Sequence, residues 1–309
     1  MNEPIRIGTR GSPLALAQAT QTRDRLAAAH PHLAAPGAIE IVAIKTTGDR
    51  IQDRTLSEAG GKGLFTKEIE EALADGRIDL AVHSMKDMPT WLPAGMEIAC
   101  LLPREDPRDA FFSPRAASLD ELPEGAVVGT ASLRRQAQVL TRRPDLRVIP
   151  FRGNVQTRLR KLAEGEADAT LLALAGLKRL GMQERITCVI ETDVMLPAVA
   201  QGTIGIEIRT RDVAARELLA PLNCAGTASR TAAERALLAV LDGSCRTPIA
   251  ALATLKPDGT LHLDGLVASP DGRQVLRASR SGPAGDAARL GADAGEELKS
   301  RLPPGLLTG

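Results

Sequence analysis

The 309-residue chain carries 39 Lys and Arg against 38 Asp and Glu, a formal charge of +1, with a 43% hydrophobic composition. That length supplies material for two or three domain cores, and the near-neutral balance argues against a general nucleic-acid binder. Four Phe, one Trp and no Tyr leave no platform for base stacking.

The opening segment MNEPIRIGTRGS has no apolar signal region, and no run approaches the length of a membrane span. A soluble, cytoplasmic protein with no membrane partner is expected. The four cysteines, at 100, 188, 224 and 245, lack CxxC spacing and nearby histidines, so no metal site is expected. Cys100 and Cys188 lie in apolar runs and read as buried; Cys224 is ambiguous. Cys245, in GSCRTP beside Arg246, is the candidate for a reactive thiolate, because a neighbouring cation lowers a thiol pKa. An inert loop cysteine is the competing reading.

Ile5 to Ile7 alternates into a strand, and Ser12 followed by Pro13 marks a helix start, with Arg10 just before it. Ile39 to Thr46 reads as a second strand. Residues Thr47 to Gly63 are polar and glycine-punctuated, which suggests a loop or cover. Its end, GGKG, departs from a Walker loop, and Lys62 is either an anion ligand or a solvated lysine. Phe65, Ile69 and Leu73 mark a helix ending at Gly76. Ile78 to His83 is expected to be a buried parallel strand that stops at Ser84-Met85-Lys86-Asp87, where open α/β sheets place their sites. Asp87 is then a lone carboxylate in a basic cleft, suited to accepting N–H bonds or moving protons; simple pairing with Lys86 or an arginine is the alternative.

Pro103 to Pro107 looks like a first crossing between domains, and Val194 to Gly202 like a second. Between them the pattern recurs: Val127 to Leu133 echoes Arg6 to Ser12, and Gly165-Glu166-Ala167-Asp168 echoes Gly76-Arg77-Ile78-Asp79. The repeated order implies two similarly built α/β lobes with helix N-termini facing a shared cleft, as in periplasmic-type binding folds. Thr203 to Arg209 returns as a strand. After a helix at Thr227 to Leu241, strands near 248–255, 260–268 and 273–280, joined by two x-P-D-G turns, form an antiparallel meander under a terminal helix. The expected domains are 1–102 with 203–220, 103–202, and an α+β domain at 221–309.

The most one-sided stretch runs from Gly129 to Leu162, with eight arginines and one lysine against Asp145 alone. Such charge must be solvated, paired within the fold, or answered by a bound anion. Ser132 reads as the N-cap of a helix with an apolar stripe of Leu133, Ala137 and Leu140. Arg134 and Arg135 then occupy a first turn that disfavours cations, and Arg152 precedes a second N-cap at Asn154, ahead of Val155, Leu159 and Leu162. A multiply anionic ligand resolves the conflict by using guanidinium forks and free N–H groups together.

With these pieces in hand, TRGSPLALAQA, GGKGLF, DLAVHSMKDMP, REDPRDAF, GTASLRRQ, FRGNVQTRL, LAGLKRLG, QGTIGIE and GSCRTPI together resemble the hydroxymethylbilane synthase (porphobilinogen deaminase) family over nearly the whole chain. The resemblance implies a tetrapyrrole-pathway enzyme that joins four porphobilinogen molecules, each bearing acetate and propionate, with loss of ammonia. It implies a dipyrromethane cofactor held by a thioether to Cys245, and Asp87 as the carboxylate that handles protons and steadies the transient cation. It further implies cofactor contacts from Ser84, Lys86, Asp87, Thr130, Ser132, Arg134, Arg135, Gly153, Asn154 and Arg158. Substrate contacts are implied for Arg10, Ser12, Lys62, Phe65, Arg152, Arg158 and Gln201, and a monomer is expected. Two departures are GSC in place of the common GGC and PAVAQGT in place of PAVGQGA, at Ser244 and Ala200. A non-catalytic two-lobed anion sensor and an RNA-binding module are the competing classes; the first has no use for Cys245, and the second predicts steep salt dependence.

Overall fold

The computed structural model describes residues 3–50, 65–243, 247–303 and 306. The chain divides into two compact units, residues 1–105 with 203–228 and residues 106–202 with 229–309.

In chain order the first unit opens with β1 (Ile5–Arg10), α1 (Pro13–Ala29), β2 (Ile39–Ile44), α2 (Thr47–Arg50), α3 (Lys67–Ala74), β3 (Leu80–Ser84) and β4 (Met96–Leu101). The second follows with β5 (Asp109–Phe112), β6 (Val127–Gly129), α4 (Leu133–Arg142), β7 (Arg147–Ile149), α5 (Val155–Ala163), β8 (Ala169–Ala173), α6 (Leu174–Arg179) and β9 (Cys188–Ile190). The chain returns with β10 (Ile204–Arg209) and α7 (Val213–Leu219), and α8 (Ala225–Val240) leads back to β11 (Ile249–Leu255), β12 (Thr260–Ala268), β13 (Val275–Pro283) and α9 (Ala287–Ser300).

The first unit's sheet has the order β2-β1-β3-β10-β4, and the second unit's five-stranded sheet has the order β7-β6-β8-β5-β9. In each, three parallel strands are followed by an antiparallel one, β10 or β5. The expected parallel strand ending at His83 is therefore parallel to β1 on one side and antiparallel to β10 on the other. Both sheets are covered on two faces, which explains their apolar runs. Leu80 and Val82 pack with Ile204, Ile206, Ala19 and Leu26, while Ala81 turns the other way toward Ile69, Leu73 and Ile78. In the second unit Val128, Ala169 and Leu171 pack with Val139, and Phe112 and Leu172 pack with Val155, Leu159 and Leu162.

The internal echo is a matter of hydrogen bonds. Asp79 accepts from the Arg6 N–H at 2.9 Å, and Asp168 accepts from the Val127 N–H at 2.7 Å. Each aspartate in turn gives its own N–H to the carbonyl of that same residue.

The third sheet, β11-β12-β13, is the expected antiparallel meander and is covered by α9. Within the second unit, Glu234 of α8 is fully buried and accepts the N–H groups of Ala200 at 2.6 Å and Ala253 at 2.8 Å. Ala200 sits at φ +57°, a left-handed conformation that disfavours a side chain, and the Glu234 carboxylate is what fastens it there. Two expectations need correction. Cys188 is only half-buried, because β9 is an edge strand. Of the expected α4 stripe only Ala137 is buried, beside Arg134, Arg135, Gln138 and Val139, while Leu133 and Leu140 are half-buried, for a reason that lies in its neighbourhood.

Candidate functional site

In the first unit, the carboxyl ends of β1 and β3 and the N-terminus of α1 surround an open cleft of about 430 Å³, open solvent included. Ser12 caps α1, its Oγ accepting from the Ala15 N–H at 3.3 Å, as Ser-Pro at a helix start predicts. Arg10 leaves the end of β1 with its guanidinium carbon 4.2 Å from the centre of the Phe65 ring, a cation–π contact that holds the fork at the cleft wall. Gln18 reaches down from α1 to exchange hydrogen bonds with Ser84 at 2.7 and 3.2 Å. Asp87 closes a single 3-10 turn, Met85–Asp87, in which the Met85 N–H is anchored on the Thr203 carbonyl. Its carboxylate is exposed in the cleft and, among the described residues, makes no ion pair. Arg10, Ser12, Phe65, Ser84 and Asp87 thus share one cleft, and Lys86 lies in the adjoining turn, half-buried.

In the second unit, the ends of the neighbouring parallel strands β6 and β7 each feed a capped helix. Ser132 Oγ accepts from the Arg135 N–H, and Asn154 Oδ1 accepts from the Thr157 N–H at 2.8 Å. Thr130 is buried and its hydroxyl accepts from the Ser132 N–H at 3.2 Å. The junctions are tied together by Phe151, whose ring lies where a side chain on Gly129 would stand, 2.5 Å from that Cβ position. Gly153 adopts φ +123°, open to glycine alone, and turns the chain from Arg152 into α5. Arg152 is half-buried, and its Nη1 is buried without a hydrogen-bond partner among the described residues. Arg158 follows one turn into α5, also half-buried.

Arg134 and Arg135 are 4% and 6% exposed, so they are not open forks. Their guanidinium groups both close on Asp109, at the start of β5, at 2.7 Å each. Arg134 also donates to the Leu196 carbonyl at 2.8 Å. Gln201 joins the same carboxylate, its Nε2 donating to Asp109 Oδ1 at 3.0 Å and to the Pro107 carbonyl at 2.6 Å. Burial pushes the Asp109 carboxyl up, but the two adjacent positive charges outweigh that and hold it well below the usual carboxylate range. Burial draws Arg134 below its ordinary value, with Asp109 opposing. The conflict of cations in a helix first turn is therefore met partly from inside the fold. Asp109 is a residue that sequence reasoning passed over; the available signal was the acid that opens the apolar run DAFF.

Of the arginines left out of the site, Arg142 pairs with Asp120, Arg143 with Asp145 and Arg160 with Glu164, while Arg147 is exposed on β7. Cys245 and Lys62 lie outside the described residues, as does most of the 47–63 stretch. Among the described residues no group of His, Cys, Asp and Glu could hold a metal ion, and no helix is long and apolar enough to cross a membrane.

Two family models match the chain: porphobilinogen deaminase, dipyromethane cofactor binding domain, over residues 5–217, and porphobilinogen deaminase, C-terminal domain, over residues 228–300. A chloroplastic porphobilinogen deaminase of Oryza sativa subsp. japonica is 61% identical over 303 residues, covering 97% of this chain and 85% of that protein. The porphobilinogen deaminase of Paracoccus denitrificans is 60% identical over 300 residues, covering 97% and 95%. The chain belongs to the porphobilinogen deaminase family.

Proposed function

We propose that this chain joins four porphobilinogen molecules head to tail, releasing ammonia at each addition and, at the end, the linear hydroxymethylbilane. The observation that carries this reading is the exposed Asp87 carboxylate, without an ion pair among the described residues, in the same cleft as Arg10 and the capped N-terminus of α1. Acetate and propionate groups of the incoming molecule are taken by Arg10, Ser12 and Phe65-braced contacts, with Lys62, Arg152 and Arg158 in the same service, while Gln201, buried and spent on Asp109 and Pro107, acts by setting that cluster rather than as a direct donor. Asp87 accepts pyrrole N–H bonds and stabilises the positive charge that grows on the methylene carbon as the C–N bond breaks.

The residues present fit a dipyrromethane. Its side chains are carboxylates, and the second unit offers donors in need of acceptors, above all the buried Arg152 Nη1. Ser84, Lys86, Thr130, Ser132, Arg134, Arg135, Arg158, Gly153 and Asn154 would hold it, with Cys245 as the thioether tether. When bound, the group supplies a free pyrrole α-carbon for the first addition. Arg134 and Arg135, set by Asp109, act from fixed positions rather than as mobile forks. We further divide the chain into three domains, 1–102 with 203–220, 103–202 and 221–309. The three separate sheets and the break between the family models at 217 and 228 support that division. A monomer in the cytoplasm is the proposed setting, in keeping with the free cysteines at 100, 188 and 224.

Intact-protein mass tests the tether: the purified protein should exceed its polypeptide mass by one dipyrromethane, and Cys245→Ser should abolish the increment. Asp87→Asn should keep porphobilinogen binding and lower kcat by about 10²-fold or more. Near-normal turnover would remove Asp87 from its role.

A further inference from the structure

One buried acid–base cluster beneath the Asp87 cleft is unused by this account. Glu207 stands in the middle of β10 in the apolar run IGIEIR, fully buried, where a carboxylate is costly unless it has a task or a partner. Its Oε2 lies 2.9 Å from Nε2 of His83, itself buried and facing the cleft from the end of β3. Its other oxygen, Oε1, is buried without a hydrogen-bond partner among the described residues. From α3, on the same face of the sheet, the half-buried Glu70 comes near them; burial raises its carboxyl above the ordinary value, a hydrogen bond from Thr66 opposes that, and Glu207 and His83 act on it more weakly in opposite senses. Among the described residues that line this cleft, the other charged groups are Arg10 from β1 and Asp87 from the turn after β3. A buried carboxylate is thus hydrogen-bonded to a buried imidazole that lines the cleft, with the half-buried Glu70 close by.

We propose that His83, backed by Glu207 and Glu70, is a second proton-handling group of this cleft. The inference rests on the proposed condensation. In each addition the aminomethyl group, carried as its ammonium, loses its C–N bond and ammonia leaves with the electron pair. A C–C bond forms between the methylene carbon and the α-carbon of the acceptor pyrrole, and that carbon must then lose its hydrogen as a proton. His83 receives it on the imidazole, sharing it with Glu207, and it leaves on the departing ammonia as ammonium; nothing is oxidised or reduced. Asp87 is thereby left free to act on pyrrole N–H groups and on the cation.

The test compares wild type, His83→Asn and Glu207→Gln as holoproteins, with kcat and KM for porphobilinogen across pH, thermal stability, and imidazole NMR of the wild type. His83→Asn assigns its resonance among the four histidines. We expect kcat to fall on the order of 10²-fold in His83→Asn and about 10-fold in Glu207→Gln, with KM little changed and the pH profile displaced. We also expect the wild-type His83 signal to move when porphobilinogen is added. If His83→Asn does not fold, Glu207→Gln and the NMR signal decide the matter. A Glu207→Gln protein that is merely less heat-stable, with wild-type kcat and pH profile, overturns the proposal, as does a His83 signal indifferent to porphobilinogen. A wild-type protein inactive on porphobilinogen overturns the proposed function along with it, whereas active wild type beside equally active variants overturns the His83 role alone.

Discussion

Asp109→Asn is the sharpest perturbation that the structure offers. The carboxylate is fully buried between two guanidinium groups, each at 2.7 Å, with Gln201 as a third donor. Unit charges about 4 Å apart attract by about 4 kcal/mol at an effective dielectric near 20, so two such contacts total roughly 8 kcal/mol gross. Desolvation of three ions, at several kcal/mol each, cancels most of that, and the cluster as a whole adds little net stability. Removing only the negative member is different. Two buried cations then repel each other without compensation, and the expected loss is about 3–5 kcal/mol. For a unit of this size that lowers Tm by roughly 6–20 °C.

The pH dependence has a definite sign. Because the folded carboxyl titrates below its unfolded value, its contribution is fully present at neutral pH and above the unfolded pKa, and is lost as pH falls through the folded pKa. Asp109→Asn should therefore destabilise most at neutral pH and show a shallower loss of stability on acidification. Urea unfolding at several pH values, with the Asp109→Asn/Arg135→Met double mutant, measures this; the pair should be non-additive by about 0.5–3 kcal/mol. A loss under about 1 kcal/mol at neutral pH, or strict additivity, would refute the reasoning.

Gly153→Ala should cost about 2 kcal/mol, since φ is +123° and the new Cβ would stand 2.6 Å from Thr157 Cγ2; chemical denaturation checks it, and a neutral result would mean that the turn before α5 has been misread. Cys100 should resist alkylation in the folded protein at neutral pH, because burial pushes its thiol up to about 12 and the thiolate is the reactive form. Mass mapping after iodoacetamide, with the denatured protein as the positive control, would show the failure directly.

Much of this architecture was legible because its signals are local. Ser12-Pro13, Ser132 and Asn154 announce helix starts within three residues, and the two x-P-D-G turns announce the meander. The face of α4 was not legible. A period count follows apolar residues, and it selected Leu133 and Leu140; the turn was decided instead by Asp109, 26 residues before Arg135, which draws both arginines inward. The same holds for His83 and Glu207, 124 residues apart, which meet only because β10 is inserted beside β3. Charge partners across a sheet leave no periodic trace, although an acid inside an apolar strand is a visible anomaly in both cases.

The position of β10 has a consequence for biosynthesis. It supplies the fourth strand of the first sheet, between β3 and β4, yet it follows residues 106–202 in the chain. A nascent chain that has not reached Thr203 therefore exposes raw edges on both flanking strands, open to pairing with other chains. The five strands of the other sheet, by contrast, are all translated by Ile190. The order of synthesis and the order of completion are thus inverted, and a ribosome that stalls midway leaves the N-terminal lobe unsealed.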